Sequence, residues 1–237
     1  MKITGVRLAL LGAALGAIPS ATMADEYLLS RDGDELMQTI SVVQPSPGEC
    51  RVVTHFVIDK WLMTVEVDTQ SLYGCTEDGR WLLTSYAEST DGGLASSKER
   101  IDVDSQGVSF STIKQRHGAE MATEPKRVLA LSRPELLEAT AIPFANAARL
   151  RAGQTHWQFH QLFPSDGSFA EVRLRSTDYS RDCHETPAAH LPQGAICVLQ
   201  SATEDAGPRK IFWYNPAEGM KFYGWQSGEN SLWLKTN

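Results

Sequence analysis

Two histidines with helical spacing are the first residues in this chain whose types match a metal site. His156 and His160 stand four positions apart in HWQFH. On a helix they would share a face, as in the motif H-E-x-x-H, but no glutamate occupies the required position and the context is typical of a strand. In a strand, their Cα atoms lie roughly 13 Å apart, since each residue rises by about 3.3 Å. We therefore predict no metal site at these histidines.

Paired carboxylates are the next candidates for chemistry. Asp102 and Asp104 in DVD lie on one face of a predicted strand, about 6.6 Å apart by the same rise, and glycosidases use carboxylates at such distances. Two acids on the solvent face of a hairpin are far more ordinary than a catalytic pair, so we favour that interpretation. The chain has no G-x-S-x-G, no C-x-x-C-H and no Gly-rich phosphate loop. We predict no catalytic residues and no cofactor, and we favour a protein that is not an enzyme.

Four cysteines stand at positions 50, 75, 183 and 197. In an exported protein, two disulfide bonds are expected, and four cysteines allow three pairings. We favour Cys50–Cys75 and Cys183–Cys197 because each pair flanks a segment typical of a hairpin or a two-strand excursion. Closing a loop of that size stabilises the fold by about 3 kcal/mol. A zinc site that uses the histidines between Cys183 and Cys197 is an alternative, although C-x2-C spacing is absent.

Aromatic residues are densest near the C-terminus, in KIFWYN and KFYGWQS. Aromatic side chains on a sheet pack in a core, stack on sugars or line apolar cavities. Core packing alone accounts for such a cluster, and a surface for acyl chains or glycan is the alternative. The candidate ligand-binding residues are Trp213, Tyr214, Phe222, Tyr223, Trp225, Leu136 and Phe144.

The first 24 residues match a secretory signal. Lys2 and Arg7 precede the apolar run Leu8–Ile18, which is too short to span a bilayer, and small residues precede Asp25. Cleavage after Ala24 removes two of the 22 basic residues and none of the 29 acidic ones, which takes the net charge from −7 to −9. An acidic protein has no electrostatic reason to bind nucleic acid. We predict a single β-rich domain over 25–237, periplasmic or secreted, that does not span a membrane.

Short alternating runs separated by Gly, Asp, Asn and Pro predict strands over most of the chain. The last three runs, separated by PAEG and SGEN, predict an antiparallel meander. The predicted strands and hairpins are Glu35–Val43, Cys50–Asp59, Trp61–Thr69, Trp81–Ser89, a hairpin over 99–114 with its tip at Asp104–Gly107, a hairpin over 155–177 with its turn at Ser165–Gly167, and the terminal runs RKIFWYN, KFYGWQS and SLWLKT.

One stretch, SRPELLEATAIPFANAARLRAG, predicts a helix at about 132–150. Ser132 followed by Glu135 forms a capping box, and Leu131 and Leu136 occupy the staple positions. Pro143 is expected to end or kink this helix. Because both faces of IFWY and FYGW are apolar, both sides of those strands must be covered, or one side must bind a ligand. The predicted fold is a mainly β curved antiparallel sheet, open barrel or β-roll wrapped around one Pro-kinked helix.

The order of these elements resembles a known group of proteins. RWLLTSYAEST is followed by a hairpin, VLALSRPELLEATAIPF, RLRAGQTHWQF and KIFWYNPAEGMKFYGWQSG. From about Trp81 to Leu234, this series is similar to exported, mostly β proteins of Gram-negative bacteria that are grouped as domains of unknown function. The resemblance implies a curved antiparallel sheet around a helix, somewhat like the lipid- and lipoprotein-handling folds of the periplasm. It implies no catalytic residues.

The sequence thus favours a non-enzymatic binding or envelope-maintenance protein of the periplasm. Its ligand is expected to be a lipid or glycolipid held between the sheet and the helix. An accessory protein that docks an envelope protein through its aromatic sheet face is the alternative. A hydrolase of envelope polymers is the third and least favoured hypothesis.

Overall fold

The computed structural model of the protein describes residues 24–60, 63–105, 107–116, 119–122, 126–129, 135–165, 167–178, 183, 191–202 and 210–235. Within these residues the chain forms one sheet of sixteen strands and one α-helix. The mainly β fold expected from the sequence is therefore confirmed. The proposed signal, the capping residue Ser132 and the histidines between Cys183 and Cys197 lie outside the described residues.

The strands follow the alternating runs of the sequence, and tight turns separate most neighbours. At the first turn, Asp32 and Gly33 both have positive φ, as a two-residue hairpin turn requires. The strands are β1 Ala24–Arg31, β2 Asp34–Val43, β3 Glu49–Lys60, β4 Met63–Cys75, β5 Trp81–Asp91, β6 Ala95–Asp104, β7 Gly107–Arg116, β8 Ala119–Ala122, β9 Lys126–Leu129, β10 Leu136–Leu137, β11 His156–Phe163, β12 Ser168–Asp178, β13 Ile196–Ala202, β14 Lys210–Asn215, β15 Lys221–Ser227 and β16 Asn230–Leu234, with helix α1 at Ile142–Arg151 and a 3-10 turn at Pro216–Glu218.

The sheet is two meanders joined at their ends. Its order is β10-β11-β12-β13-β14-β15-β16-β1-β2-β3-β4-β5-β6-β7-β8, and β9 also pairs with β7. The first strand and the last strand pair in the middle of this order, with Leu28 opposite Trp233 and Ser30 opposite Ser231. Neighbouring strands are antiparallel, except that β10 runs parallel to β11. The terminal meander β14–β15–β16 and the hairpins β6–β7 and β11–β12 confirm the sequence prediction.

The sheet curls so that its β10 edge comes back against β5, toward the other end of the strand order. The backbone N–H of Trp81, in β5, donates to Glu135, directly before β10. Gly79, in the β4–β5 turn, lies so close to α1 that a Cβ atom there would be 2.8 Å from the backbone of Ala148. The inner face of the curled sheet and α1 share one apolar core. The expected curvature of the sheet around the helix is confirmed.

The helix is shorter than predicted, and Pro143 does not kink it. Helix α1 begins at Ile142, after an N-cap at Ala141 that makes no side-chain cap bond. Pro143 lies in the first turn, where a missing N–H leaves no bond unmade. The prediction of a Pro-kinked helix over 132–150 is therefore wrong in its start and in the role of Pro143.

Two of the residues assigned to the first half of that helix are in a strand instead, and residues 139–141 form a turn. Leu136 and Leu137 form β10, and both are buried. A short apolar run of this kind fits a buried strand as well as a helix. The Glu135 carboxylate bonds to Arg149 and to the backbone of Trp81, so it does not form the predicted capping box.

Both favoured disulfide bonds are present. Cys50–Cys75 links the open ends of the β3–β4 hairpin, whose Glu49 pairs with Gly74. Cys183–Cys197 fastens the segment before β13 over the outer side of the sheet, where Trp213 is fully buried. Both faces of β14 are therefore covered, one by the core around α1 and the other by this disulfide cluster.

Candidate ligand-binding site

The inner face of β14 and β15 carries an aromatic patch that faces the helix. In β14, Phe212 and Tyr214 belong to the core around α1, and the Tyr214 hydroxyl donates to the carbonyl oxygen of Pro143 at 3.0 Å. Phe222 of β15 packs against Tyr214 with ring centroids 5.7 Å apart. Phe144 of α1 meets Phe222 edge to face at 5.8 Å. The sheet and the helix thus share a row of aromatic rings.

A bulge decides which residues of β15 join this patch. The pairing of β14 with β15 shifts between Trp213 and Tyr214, so that Phe212 lies opposite Trp225 and Tyr214 opposite Phe222. Three positions separate Phe222 from Trp225, which would put them on opposite faces of a regular strand. The extra residue of the bulge restores both to the inner side.

One cavity beside the helix, the Lys210 cavity, has a volume of about 330 Å³ and lies between the inner sheet face and the β10–α1 connection. It is partly open to solvent. Proteins bind small ligands in spaces of about 300–1,000 Å³, so one compact ligand fits. The lining residues are Leu29, Arg31, Gln38, Ile40, Ala139, Thr140, Pro143, Lys210, Trp225, Ser227, Asn230 and Leu232.

Lys210 places its charged ammonium group against aromatic rings in this cavity. Its ammonium group lies 3.7 Å from the ring centroid of Trp225 and 5.3 Å from that of Phe212. Burial lowers the pKa of Lys210 to about 8, and the charge of Glu138 opposes this shift. A lysine placed over two aromatic faces retains part of the electrostatic stabilisation that it loses with water.

Glu138 anchors the connection between β10 and α1. Its carboxylate accepts hydrogen bonds from the hydroxyl of Ser71 in β4, at 3.1 Å, and from the backbone N–H of Thr140, at 2.6 Å. The Thr140 hydroxyl donates to it as well. Burial raises the pKa of Glu138 above its ordinary value, and these donors oppose the rise. The connection that borders the Lys210 cavity is therefore hydrogen-bonded to strand β4.

The second cavity, the Phe144 cavity, has a volume of about 310 Å³ and adjoins the other side of α1. Ile40 of β2 lines both cavities. Two carboxylates line this cavity, and both have partners. Asp25 pairs with Lys221 at 3.5 Å, and Glu218 accepts bonds of 2.7 Å from Asn215 and Tyr223.

The structure divides the predicted ligand-binding residues between three places. Trp225 lines the Lys210 cavity, and Phe144 and Phe222 line the Phe144 cavity. Leu136 and Tyr214 are buried in the core beside them. Trp213 and Tyr223 line neither cavity: Trp213 packs on Trp233 in the disulfide cluster at 5.0 Å, and the hydroxyl of Tyr223 donates to Glu218.

The histidines and acids considered from the sequence lie elsewhere. His156 and His160 are in β11, as the strand prediction required, and His160 packs against Phe169. Asp102 accepts two hydrogen bonds from the guanidinium of Arg100 on the hairpin surface. Neither pair lines the Lys210 cavity or the Phe144 cavity.

One group with metal-ligand chemistry was not considered from the sequence. The side chains of His55, Glu66 and Asp68 place one ligand atom each within 4.8 Å of one another on β3 and β4. Hairpin pairing sets His55 opposite Asp68, and their side chains bond at 2.9 Å. Cross-strand ion pairing accounts for this arrangement, since both carboxylates are exposed.

Sequence reasoning also missed the polar lining of the Lys210 cavity. A signal for Lys210 was available, because it alternates with Phe212 and Tyr214 at the start of KIFWY and so belongs to the same face. No comparable signal pointed to Arg31 or Gln38, since their strands meet β14–β16 only through the β1–β16 pairing.

No family model matches this chain, and no curated protein matches it. Among solved structures, the chain is similar to a β-barrel-like protein of domain of unknown function DUF1849 from Brucella abortus. The TM-score is 0.45 at 12% identity, over 90% of this chain and 93% of that chain. In the described part of the chain, no helix has the length and apolar character needed to cross a membrane.

Proposed function

We propose that this protein is a non-enzymatic binding protein that serves in the maintenance of the cell envelope. It holds an apolar or amphiphilic ligand, a lipid or glycolipid, between its curved sheet and the β10–α1 connection. The observation that carries this proposal is the position of the Lys210 and Phe144 cavities, which lie along the helix and its connection on the inner side of the sheet.

The sequence and the disulfide bonds support a location in the periplasm, which is part of the proposal. Residues 1–24 have the pattern of a cleaved signal, and the remaining residues would act as one domain in the periplasm. Two disulfide bonds are typical of an oxidising compartment. Secretion beyond the periplasm stays an alternative.

The aromatic docking alternative is less favoured. A docking face requires exposed aromatic side chains, but Phe212, Trp213 and Tyr214 are fully buried. The hydrolase hypothesis needs a cleft with free acid and base groups. In the Phe144 cavity, Asp25 and Glu218 are already bonded to other side chains.

The first test is to find the ligand. The protein is expressed with its own N-terminal residues, purified from the periplasm without detergent and extracted with organic solvent. Mass spectrometry of the extract, beside a mock purification, is expected to show a lipid or glycolipid in stoichiometric amount. An empty extract from folded protein would contradict the proposal and favour a protein partner.

A cavity-filling variant makes this test specific. Ala139 is exposed at the rim of the Lys210 cavity, so Ala139→Trp is expected to displace the ligand without disturbing the core. Ala217→Trp, in the exposed 3-10 turn, is the matched control and is expected to keep the ligand. Equal ligand content in both variants would place the ligand outside the Lys210 cavity.

A further inference from the structure

The lining of the Lys210 cavity is positive in a chain that is negative overall. The whole sequence has a net charge of −7, yet the described residues that line this cavity include Arg31 and Lys210 and no aspartate or glutamate. Arg31 pairs with Asp32 at 3.6 Å, and both side chains are largely exposed. Such a sign reversal at a concave site favours an anion as its occupant.

Strand register places the polar lining residues at the same end of strands β1, β14, β15 and β16. Ser227 lies opposite Lys210 on one side and opposite Asn230 on the other. Arg31 is the last residue of β1 and lies at the same end of these strands, one residue beyond the pair of Ser30 with Ser231. The cavity therefore has a polar, cationic rim.

Deeper positions of the same strands are apolar. Leu232 lies opposite Leu29 on β1 and opposite Trp225 on β15. Ile40 of β2 and Pro143 of α1 continue this lining toward the core. A polar rim above an apolar floor is complementary to a molecule with a charged head and an apolar chain.

Lys210 also lacks an acidic partner within the part of the chain that the structure describes. No aspartate or glutamate there forms an ion pair with its ammonium group, which faces aromatic rings instead. Glu138 is the acid whose charge acts on Lys210 from the β10–α1 connection, but its oxygens are occupied by Ser71 and Thr140. Lys210 is half-buried at the cavity, and charges withdrawn from water in proteins are normally paired, so an anionic ligand would complete this site.

We infer, resting on the proposed function, that the ligand is an anionic amphiphile. Its carboxylate or phosphate head binds Lys210 and Arg31 at the rim, and its apolar chain lies along Leu29, Leu232 and Ile40. Ser227 and Asn230 supply further polar contacts for the head.

Three probes with the same dodecyl chain separate the head from the chain. Dodecyl phosphate, dodecyl maltoside and dodecyltrimethylammonium are titrated calorimetrically into the whole purified protein, each below its micelle concentration. Dodecyl phosphate is expected to bind about tenfold more tightly than either other probe, because a charge-assisted hydrogen bond accounts for a factor of that size. Dodecanoate in a fourth arm distinguishes a carboxylate head from a phosphate head.

Charge variants assign the effect to Lys210. Lys210→Gln is expected to weaken dodecyl phosphate about tenfold and to leave dodecyl maltoside unchanged. Lys210→Arg keeps the charge and is expected to retain most of the preference. Lys98→Gln, at an exposed position on β6, is the matched control and should behave like the unaltered protein.

The pH profile gives an independent readout. Since the pKa of Lys210 is about 8, the affinity for dodecyl phosphate should fall as the pH rises above that value, and Lys210→Gln should abolish this fall.

The outcomes separate the two proposals. Equal binding of all three probes would overturn the anionic head and leave the binding function standing. Binding of none, by folded protein, would overturn both. A preference for phosphate that survives Lys210→Gln would contradict the role of Lys210.

Discussion

Glu138 is a buried acid that accepts three hydrogen bonds, and its protonation affects the stability of the fold. Its only described partners are Ser71 and the residues directly after it, so its charge is not matched by a cation in contact. Burial raises its pKa, which means that the folded state binds a proton more tightly than the unfolded chain does.

The sign of the pH effect follows from this raised pKa. The stability contributed by Glu138 is fully present below its ordinary pKa and decreases as the pH rises from that value through the folded pKa. Glu138→Gln removes this titration. An amide can face its oxygen toward Thr140 and donate to Ser71, whose hydroxyl also accepts. We expect a smaller fall in the unfolding midpoint with rising pH, measured by thermal denaturation between about pH 5 and 8.

The control for this prediction is Glu229→Gln, in the exposed β15–β16 turn. It should leave the pH dependence as it is in the unaltered protein. If Glu138→Gln gave the same slope as this control, Glu138 would not titrate differently between the folded and unfolded states.

Residues such as Glu135, Glu138 and Arg149 were beyond prediction from the sequence. Charged residues are almost always exposed unless they are paired, and the pairs here come from distant parts of the chain. Glu135 fits a capping box by its spacing, yet its carboxylate meets Arg149 and the backbone of Trp81 instead. The cysteine pairs were predictable because both bonds close short loops.

At the scale of elements, β15 shows how a sheet with two covered faces is assembled. Gly224 lies on the outer side, opposite Trp213, and directly beside β16. A Cβ atom at this position would collide with the carbonyl oxygen of Leu232 and with the ring of Trp233. Glycine here lets the tryptophan of β16 lie flat against the sheet.

Gly224→Ala is therefore expected to destabilise the protein by about 3 kcal/mol, since the clash involves backbone that does not move freely. Gly74→Ala is the matched control in a strand, because its Cβ atom would lie 4.0 Å from the nearest atom, the carbonyl oxygen of Leu82. Urea denaturation measures both. Comparable midpoints for the two variants would show that the β15–β16 contact adapts at little energetic expense.

The elements themselves were largely predictable, and their irregularities were not. Alternating runs and turn residues located the hairpins and the terminal meander. The bulge that brings Phe222 and Trp225 to one face leaves no local signature in FYGW. The start of α1 was misplaced because Leu136 and Leu137 are apolar in a strand and in a helix alike.

For the whole molecule, the closing contact is the buried ion pair of Glu135 and Arg149. It joins the chain before β10 to the end of α1, and Glu135 also accepts from the backbone of β5. The two side chains are only 7% and 6% exposed. This pair helps to hold the β10 edge of the sheet against α1 and β5.

Breaking one partner of such a pair leaves an uncompensated buried charge, which typically destabilises by about 3–5 kcal/mol. Arg149→Met and Glu135→Gln should each show a loss of this order in urea denaturation. The double variant should lose clearly less than the sum, because it buries no lone charge. Strict additivity would show that the two side chains stabilise the fold independently.

The overall closure was predicted only as a curved sheet around a helix. Neighbouring strands in the sequence usually pair, so the two meanders followed from turn lengths. Nothing local distinguishes the pairing of β1 with β16, or the parallel contact of β10 with β11, from other arrangements. Residues of both β1 and β16 line the Lys210 cavity, so the cavity could not be predicted from the sequence either.

The same seam has a consequence for the timing of synthesis. Strand β1 is made first among the strands, and its partner β16 is made about two hundred residues later. Until then, one side of β1 is an open edge, and open edges pair with other chains. Hairpins with short loops form early, whereas a contact between distant residues forms slowly. The centre of the finished sheet is thus the last ladder to form, and a newly made chain must be protected from its neighbours until its final strand has arrived.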